Sequence, residues 1–391
     1  MPSKRRILLV ITWMTDCLLF LLIFAVSRWM AEAGATSLAM GAIGGLVSLV
    51  SGAASAIGGR ISDRVGRYRV MLLGMAAVAV GEALVALSVR GSASYFAGYV
   101  VGAGMIGAIY PPIMAELTEG GDAVVDRSGV GRTIILFCIA WNLGLITGQL
   151  SGGWLFAADP LYPVVVALCL TTSSAVLAAV LALRLAEPAA AVELTAAHHE
   201  HRALSASYVR LAWMANLGGT FAMSMIFHLF PKLLVAMGVD SRRHGAVLAF
   251  SRAVVIATYF VMHRSVFWHH SFAAAAGSQV LAIAGLVAIA SARSELGLAV
   301  GLALLAQLVG FNYFASLFYS TAGSAEERRG EASGMHEATL SFGFALGSTL
   351  GGWSGSALGD RSPYVLAAGV IAALLIVQAF WYRARVRPLR A

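Results

Sequence analysis

The chain has 391 residues, of which 59% are hydrophobic and only 12% are charged, and its mean hydropathy is +0.81. A soluble domain of this length has too little interior to hide so much apolar surface, which excludes an ordinary water-soluble fold. The formal charge of +8 comes from basic residues dispersed over many short segments, and this distribution excludes a nucleic-acid-binding stripe.

Apolar blocks of about 20 residues recur along the chain, and a helix of that length crosses roughly 30 Å of hydrocarbon. The blocks lack the alternating pattern of an outer-membrane barrel strand, and a lipid-facing backbone must satisfy its own hydrogen bonds, so each block is predicted to be a helix. We place twelve predicted spans at residues 7–27, 38–59, 70–89, 93–115, 133–157, 162–183, 208–236, 243–262, 272–292, 296–320, 335–358 and 363–382.

The first predicted span has the appearance of a signal peptide, because Lys4, Arg5 and Arg6 precede it and small residues follow at 31–35. It is too long for a signal peptide and eleven further spans follow, so we predict an uncleaved helix. Most of the 27 Lys and Arg residues fall on the side of the termini. The positive-inside rule then predicts a multi-pass protein of the cell (inner) membrane with both termini cytoplasmic.

A polar stretch divides the spans into two sets of six. We predict a first six-helix bundle at residues 1–183, a cytoplasmic linker at 184–207, and a second bundle with a basic tail at 208–391. The linker histidines, His198, His199 and His201, have no cysteine or carboxylate cage beside them. Cys17, Cys138 and Cys169 all fall inside predicted spans, so we expect no disulfide, metal or cofactor. The fold class is an all-α polytopic membrane protein.

A glycine pattern in the fifth span returns at a constant offset in the eleventh. The first copy consists of Gly144, Gly148, Gly152 and Gly153, and the second of Gly343, Gly347, Gly351 and Gly352. Glycines four residues apart share one helix face and allow close helix packing, which accounts for each copy by itself. Their recurrence in both halves indicates duplication and adds a second interpretation, a moving interface.

The loop after the second predicted span contains an acidic and basic motif: Gly59, Asp63, Arg64, Gly66 and Arg67, followed by Tyr68 and Arg69. The positive-inside rule by itself explains the arginines, but it does not explain the glycines and the aspartate at these spacings. The motif resembles the loop signature GxxxDRxGRR of the major facilitator superfamily, with Tyr68 displacing the second basic residue by one place. The resemblance implies the two-bundle fold of that family and a loop that braces one half against the other.

Two features depart from the proton-linked exporters of that family. The fifth-span glycines resemble the antiporter signature GxxxGPxxGG, but Gln149 replaces its proline, and Ser348 stands there in the second copy. In the fourth span, Gly98 occupies the place of an arginine that drug exporters often have. The direction of transport is therefore left open. Proline residues at Tyr110-Pro111-Pro112 and at Pro231 predict bends in the fourth and seventh spans.

Charged residues in mid-membrane cost about 2.5 to 3.5 kcal/mol each and need an explanation. Asp16 is a candidate proton carrier, the alternative being a structural carboxyl bonded to a neighbour. Arg252 is a candidate for an anionic solute or a carboxylate partner, and Glu82 is expected to be structural. Further hydrogen-bonding candidates for solute binding or proton coupling are Asn142, Gln149, Asn216, His228 and Asn312. The charged group Arg328, Arg329, Glu331, His336 and Glu337 is interpreted as a solvated face.

The chain has no Walker loop, no nucleotide-binding glycine motif followed by Lys-Ser/Thr, and no paired aspartates for diphosphate chemistry. We therefore predict a secondary transporter of a small solute that works by alternating access, with protons as a candidate coupling ion. The alternative is a non-transporting sensor or assembly scaffold that kept the fold. An enzyme is disfavoured, because no nucleophile and base stand out. The expected partners are a small-molecule substrate and lipid, without nucleic acid, and we expect a monomer.

Overall fold

The computed structural model describes residues 4–118, 129–184, 199–323 and 329–390. Within these ranges the first half contains α1 (Lys4–Glu32), α2 (Ser37–Val65), α3 (Arg67–Leu87), α4 (Ala93–Gly104), α5 (Tyr110–Thr118), α6 (Gly129–Ala158) and α7 (Tyr162–Arg184). The second half contains α8 (His199–His228), α9 (Phe230–Ala236), α10 (Ser241–Arg264), α11 (Phe272–Ser291), α12 (Glu295–Gly323), α13 (Arg329–Leu358) and α14 (Ser362–Trp381). Most of the predicted linker at 184–207 lies outside the described residues, and α8 begins within its last part.

Two of the predicted spans are broken near prolines, as the sequence indicated. A 3₁₀ turn at Met105–Ala108 separates α4 from α5, which begins one residue before Pro111. The axis bends by 43° between α8 and α9, where Pro231 occupies the first turn of α9. Proline lacks the N–H that would continue a helix and clashes with the preceding turn, so both breaks follow from the sequence.

Helices that can cross a membrane account for nearly the whole described chain. Ten spans are long and apolar enough, and the bent pair α8 and α9 makes an eleventh. The 30-residue α13, which packs against α2 and α8, completes twelve. Large apolar side chains point outward, for example Leu87 and Leu183. In water such an exposed apolar surface would aggregate, but here it faces lipid.

The two halves repeat one packing scheme. Within the halves, α6 packs on α1 and α13 packs on α8, and between the halves α2 packs on α13 and α6 packs on α10. The repeated glycines occupy these contacts. A Cβ on Gly148 would lie 2.6 Å from the Cys17 carbonyl oxygen on α1, and one on Gly347 would lie 2.1 Å from that of Phe221 on α8. Only the last glycine of each copy reaches the other half.

Those last glycines are Gly153, whose Cβ would meet the carbonyl oxygen of Ser241 on α10 at 2.5 Å, and Gly352, whose Cβ would meet that of Ser37 on α2 at 2.6 Å. The interpretation of the whole glycine pattern as an interface between the halves is therefore too broad. The other glycines hold each half together, because α6 and α13 each present one face to a helix of their own half.

We call the face of the bundle that carries both ends of the chain the terminal face, and the opposite face the far face. The far face carries the loops at 33–36, 88–92, 159–161, 237–240, 292–294 and 359–361. On the far face, both terminal nitrogens of the Arg28 guanidinium donate to the Val239 carbonyl oxygen at 3.0 Å. Ser37 donates to Asp360 at 2.7 Å, and Lys232 lies 3.6 Å from the same carboxylate. The bonds of Arg28 and Ser37 join the two halves at the far face, whereas Lys232 and Asp360 both belong to the second half.

Candidate functional site

A cavity of about 150 Å³ lies between the halves and receives side chains from both. Its wall is mainly aliphatic and aromatic, with a few titratable groups set into it. The titratable residues on the wall are Asp16, Tyr110, His228, Arg252, Tyr313 and Glu337. A concave, mostly apolar site with a few convergent polar groups is typical of a small-molecule binding site.

Asp16 lies near the middle of α1 and is fully buried. Its Oδ1 accepts a hydrogen bond of 2.6 Å from the Tyr110 hydroxyl, whereas its Oδ2 has no hydrogen-bond partner among the described residues. Tyr110 reaches this position because α5 starts there, directly after the break in the fourth span. The break that the prolines cause thus aims a hydroxyl at the buried carboxyl of α1.

Arg252 lies in the middle of α10, and only 2% of its surface is exposed. Its guanidinium carbon lies 4.9 Å from the centre of the Phe227 ring, and one of its terminal nitrogens lies 3.9 Å from the Met223 sulfur. Its Nε has no partner, and among the described ion pairs no carboxylate contacts it. An aromatic face attracts a cation but does not neutralise it.

Glu337 was not recognised as a cavity residue from the sequence. The structure places its side chain on the cavity wall, where the Tyr313 hydroxyl donates to its Oε1 at 3.3 Å. The prediction of a solvated face is wrong for this residue, and the other four residues of that charged group lie outside the described side chains. Helical spacing was the available signal, because Ser341 and Phe344 lie on the same face of α13 and also line the cavity.

Two of the hydrogen-bonding candidates also line the cavity. Asn216 contributes an amide nitrogen that has no partner among the described residues. The ring of His228 packs on Gly44, where a Cβ would meet it at 2.5 Å. The glycine at that point of α2 therefore leaves the space that the imidazole occupies.

The other three candidates do not line the central cavity. Asn142 donates to the Cys138 carbonyl oxygen at 2.9 Å and to the Tyr259 hydroxyl at 3.3 Å. Gln149 borders a small void between the halves, and Asn312 borders another inside the second half. Glu82 is also remote, and its Oε2 accepts a 2.6 Å hydrogen bond from Thr171 of α7.

The loop motif forms the sharp turn between α2 and α3. Asp63 and Arg64 lie in the last turn of α2, and Gly66 turns the chain with a φ of 104°, a conformation that L side chains rarely adopt. Arg67 then lies 3.3 Å from Glu116 at the end of α5. Gly59 is buried in α2, one turn before Asp63. The turn thus holds α3 and α5 together at the terminal face.

The sequence model of one protein family, the Major Facilitator Superfamily, matches residues 8–325 of the chain. The chain belongs to the Major Facilitator Superfamily. The resemblance seen in the loop motif is therefore confirmed, and the protein is a multi-pass membrane transporter. Among the curated proteins none matches this chain.

Solved structures of other superfamily members share its fold. The human organic anion transporter MFSD10 (TETRAN) has a TM-score of 0.71 and 17% identity, with 97% of this chain and 100% of that chain covered. The nucleoside transporter NupG has a TM-score of 0.66 and 14% identity, with 98% of this chain and 100% of that chain covered. At these identities the likeness establishes the superfamily fold alone.

Proposed function

We propose that this superfamily member is a secondary transporter that carries a small solute by alternating access, with proton coupling through Asp16. The observation that carries the proposal is the cavity between the halves, because it collects buried charged groups from both. Asp16 comes from α1 in the first half and Arg252 from α10 in the second. Rocking of the halves would change the contacts and the exposure of a solute held between Asp16 and Arg252.

The contacts of the far face support a rocking motion. The bonds from Ser37 to Asp360 and from Lys232 to the Ala35 carbonyl oxygen cross between the halves, and such hydrogen bonds contribute about 0.5 to 1.5 kcal/mol each, so exchanging them costs little. The glycine contacts of α6 with α1 and of α13 with α8 stay inside each half and need not change. We propose that each half moves as a unit, with the division in the segment at 184–207.

Asp16 supports proton coupling through its surroundings. A carboxylate inside the membrane is costly unless it is paired, and its Oδ2 has no partner among the described residues. Taking up a proton removes that charge, and releasing it restores the charge. We further propose that the terminal face is cytoplasmic, in line with the distribution of basic residues.

The experiment measures motion without needing to know the solute. Spin labels are attached to cysteines at the exposed positions Ala33 and Ser294 on the far face, one in each half, after the native cysteines have been replaced. In lipid nanodiscs we expect two distance populations, for the closed and open far face, and their ratio should change with pH. A single distance at every pH would support the non-transporting scaffold and contradict the proposal.

A further inference from the structure

The Arg252 guanidinium lies on the cavity wall, and no carboxylate contacts it among the described ion pairs. It is buried, its Nε has no partner among the described residues, and it contacts the Phe227 ring and the Met223 sulfur. A buried cation without a direct counter-ion is expensive unless something else neutralises it. A planar guanidinium with free donors is suited to a carboxylate, which it binds in a bidentate manner.

The remainder of the wall indicates what the rest of the ligand is like. Phe20 and Trp141 of the first half and Phe227 and Phe344 of the second line the cavity. Phe227 lies between Phe20, at 4.6 Å, and Phe344, at 5.9 Å between ring centres. Such a wall accepts a flat or branched apolar body, and the volume of about 150 Å³ limits that body to roughly one ring.

Asp16 completes the charge pattern. It lies on the wall of the same cavity as Arg252 but in the other half, and the two groups form no ion pair within 4.0 Å. Their charges still attract each other across the low-dielectric cavity. An anion that binds Arg252 neutralises the charge that attracts Asp16, and it repels the Asp16 carboxylate. Binding of the anion therefore favours uptake of a proton by Asp16.

We infer that the cavity binds a small organic carboxylate with an apolar, ring-sized body, anchored by Arg252, and that each anion is bound together with one proton on Asp16. The inference rests on the proposed transport function and names the class of its solute. The carboxylate charge is balanced by the guanidinium, and the proton cancels the aspartate charge. In the loaded cavity the charges of Arg252, the bound carboxylate and the protonated Asp16 therefore sum to zero.

Other titratable groups face Asp16 from the helices packed around it, and Glu337 is the main competitor for the proton. It is a second carboxyl on the same wall, held by Tyr313. The other groups are neutral hydroxyls or an imidazole at neutral pH, namely Tyr110 on α5, Tyr259 on α10, Tyr313 on α12 and His228 on α8. The test must therefore separate Asp16 from Glu337.

The first test compares ligands that differ only in charge. Purified protein in nanodiscs is titrated with benzoate, benzamide and benzylamine, and thermal stabilisation is measured at pH 5.5 and pH 7.5. We expect stabilisation by benzoate alone, stronger at the lower pH. Stabilisation by benzamide or benzylamine instead, an equal effect of chloride, or no effect of benzoate, salicylate and 3-phenylpropionate alike at pH 5.5 would overturn the inference.

The second test uses variants to assign the roles. Arg252→Gln should abolish benzoate binding, and Arg252→Lys should weaken it about tenfold or more, since lysine cannot bind a carboxylate in a bidentate manner. In the unmodified chain, linkage to one proton raises benzoate affinity by up to about tenfold for each unit of pH decrease. Asp16→Asn should remove this pH dependence, and Glu337→Gln should retain it.

Retention of the pH dependence in Asp16→Asn, or its loss in Glu337→Gln alone, would overturn the role of Asp16. If Arg252→Gln does not fold, the ligand comparison in the unmodified chain and the Arg252→Lys variant decide the role of Arg252. Failure of these tests is distinguishable from failure of the transport proposal, because the far-face distances are measured without any ligand.

Discussion

At the scale of single residues, two buried acids in the described membrane helices, Asp16 and Glu82, have different surroundings. Asp16 faces a cavity between the halves, with one carboxylate oxygen bonded to Tyr110. Glu82 lies between α3 and α7 of one half, bonded to Thr171. A proton carrier must face the path of the solute, whereas a structural acid needs only a neighbour that satisfies it.

The pair allows a matched comparison of acid-to-amide substitutions. We expect Asp16→Asn to make the ratio of the two far-face distances independent of pH, because the proton site is lost. Glu82→Gln should leave the pH dependence intact. Spin-label distances between pH 5 and pH 8 provide the measurement. Equal effects of the two substitutions would refute the distinction between them.

The hydroxyl that satisfies Glu82 gives a second comparison. Thr171→Val removes the 2.6 Å hydrogen bond and leaves a buried carboxyl oxygen without its donor, which costs about 1 to 3 kcal/mol. We expect a melting temperature that is lower by several degrees. The adjacent Thr172, exposed and bonded only to its own helix, is the control, and Thr172→Val should have little effect. An unchanged melting temperature in Thr171→Val would contradict the assigned structural role.

At the scale of helices, the glycines separate contacts that hold a half together from contacts that hold the two halves to each other. Gly148 on α6 meets α1 inside the first half. Gly41 on α2 meets α13 of the second half, where a Cβ would lie 2.3 Å from the Ser348 carbonyl oxygen. Backbone atoms cannot move aside as a flexible side chain can, so either contact breaks when a methyl group is added.

The two glycines should therefore give different phenotypes. Gly41→Ala should push the halves apart on the far face and increase the open population in the spin-label measurement. Gly148→Ala should lower the melting temperature without changing the ratio of the populations. Gly369→Ala, on a face of α14 with nothing within 4 Å of the new methyl group, is the control for both. Opening of the far face by Gly148→Ala would show that its packing face is part of the moving interface.

At the scale of the whole molecule, the closed far face is held by several partly exposed polar contacts between the halves. Lys232 takes part in one of them, since its ammonium group donates to the Ala35 carbonyl oxygen at 3.0 Å. It also lies 3.6 Å from Asp360 of its own half, which accepts a hydrogen bond from Ser37 of the first half. Each contact is weak, and the closed state depends on their sum. This arrangement is suited to an equilibrium that a solute or a proton can shift.

Loss of Lys232 should shift this equilibrium measurably. We expect Lys232→Met to favour the open far face by about fivefold, which corresponds to about 1 kcal/mol for the lost hydrogen bond to the Ala35 carbonyl oxygen. The control is Arg90→Gln, because Arg90 pairs with Asp159 at 3.3 Å inside the first half and neither residue forms a described hydrogen bond to the other half. Distance populations in low and high salt provide the measurement, and a shift of equal size in the control would reject the assignment.

The superfamily and the fold could be predicted from the sequence, because lipid imposes a length and an apolar composition on every span, and because the turn at Gly66 needs a glycine at a fixed place. The breaks near Pro111 and Pro231 were predictable for the same local reason. Asp16 and Arg252 could be selected as costly charges, since their cost depends on the membrane rather than on their neighbours.

Only the tertiary structure decided which of these residues meet. It placed Glu337 on the cavity, aimed Tyr110 at Asp16, put Asn142, Gln149 and Asn312 elsewhere, and divided the glycines between contacts within and between the halves. A helical pattern reveals that a face is polar or small, but neither its partner helix nor the space between them. Those depend on how twelve helices pack together, and that information is distributed over the whole chain rather than present in any one span.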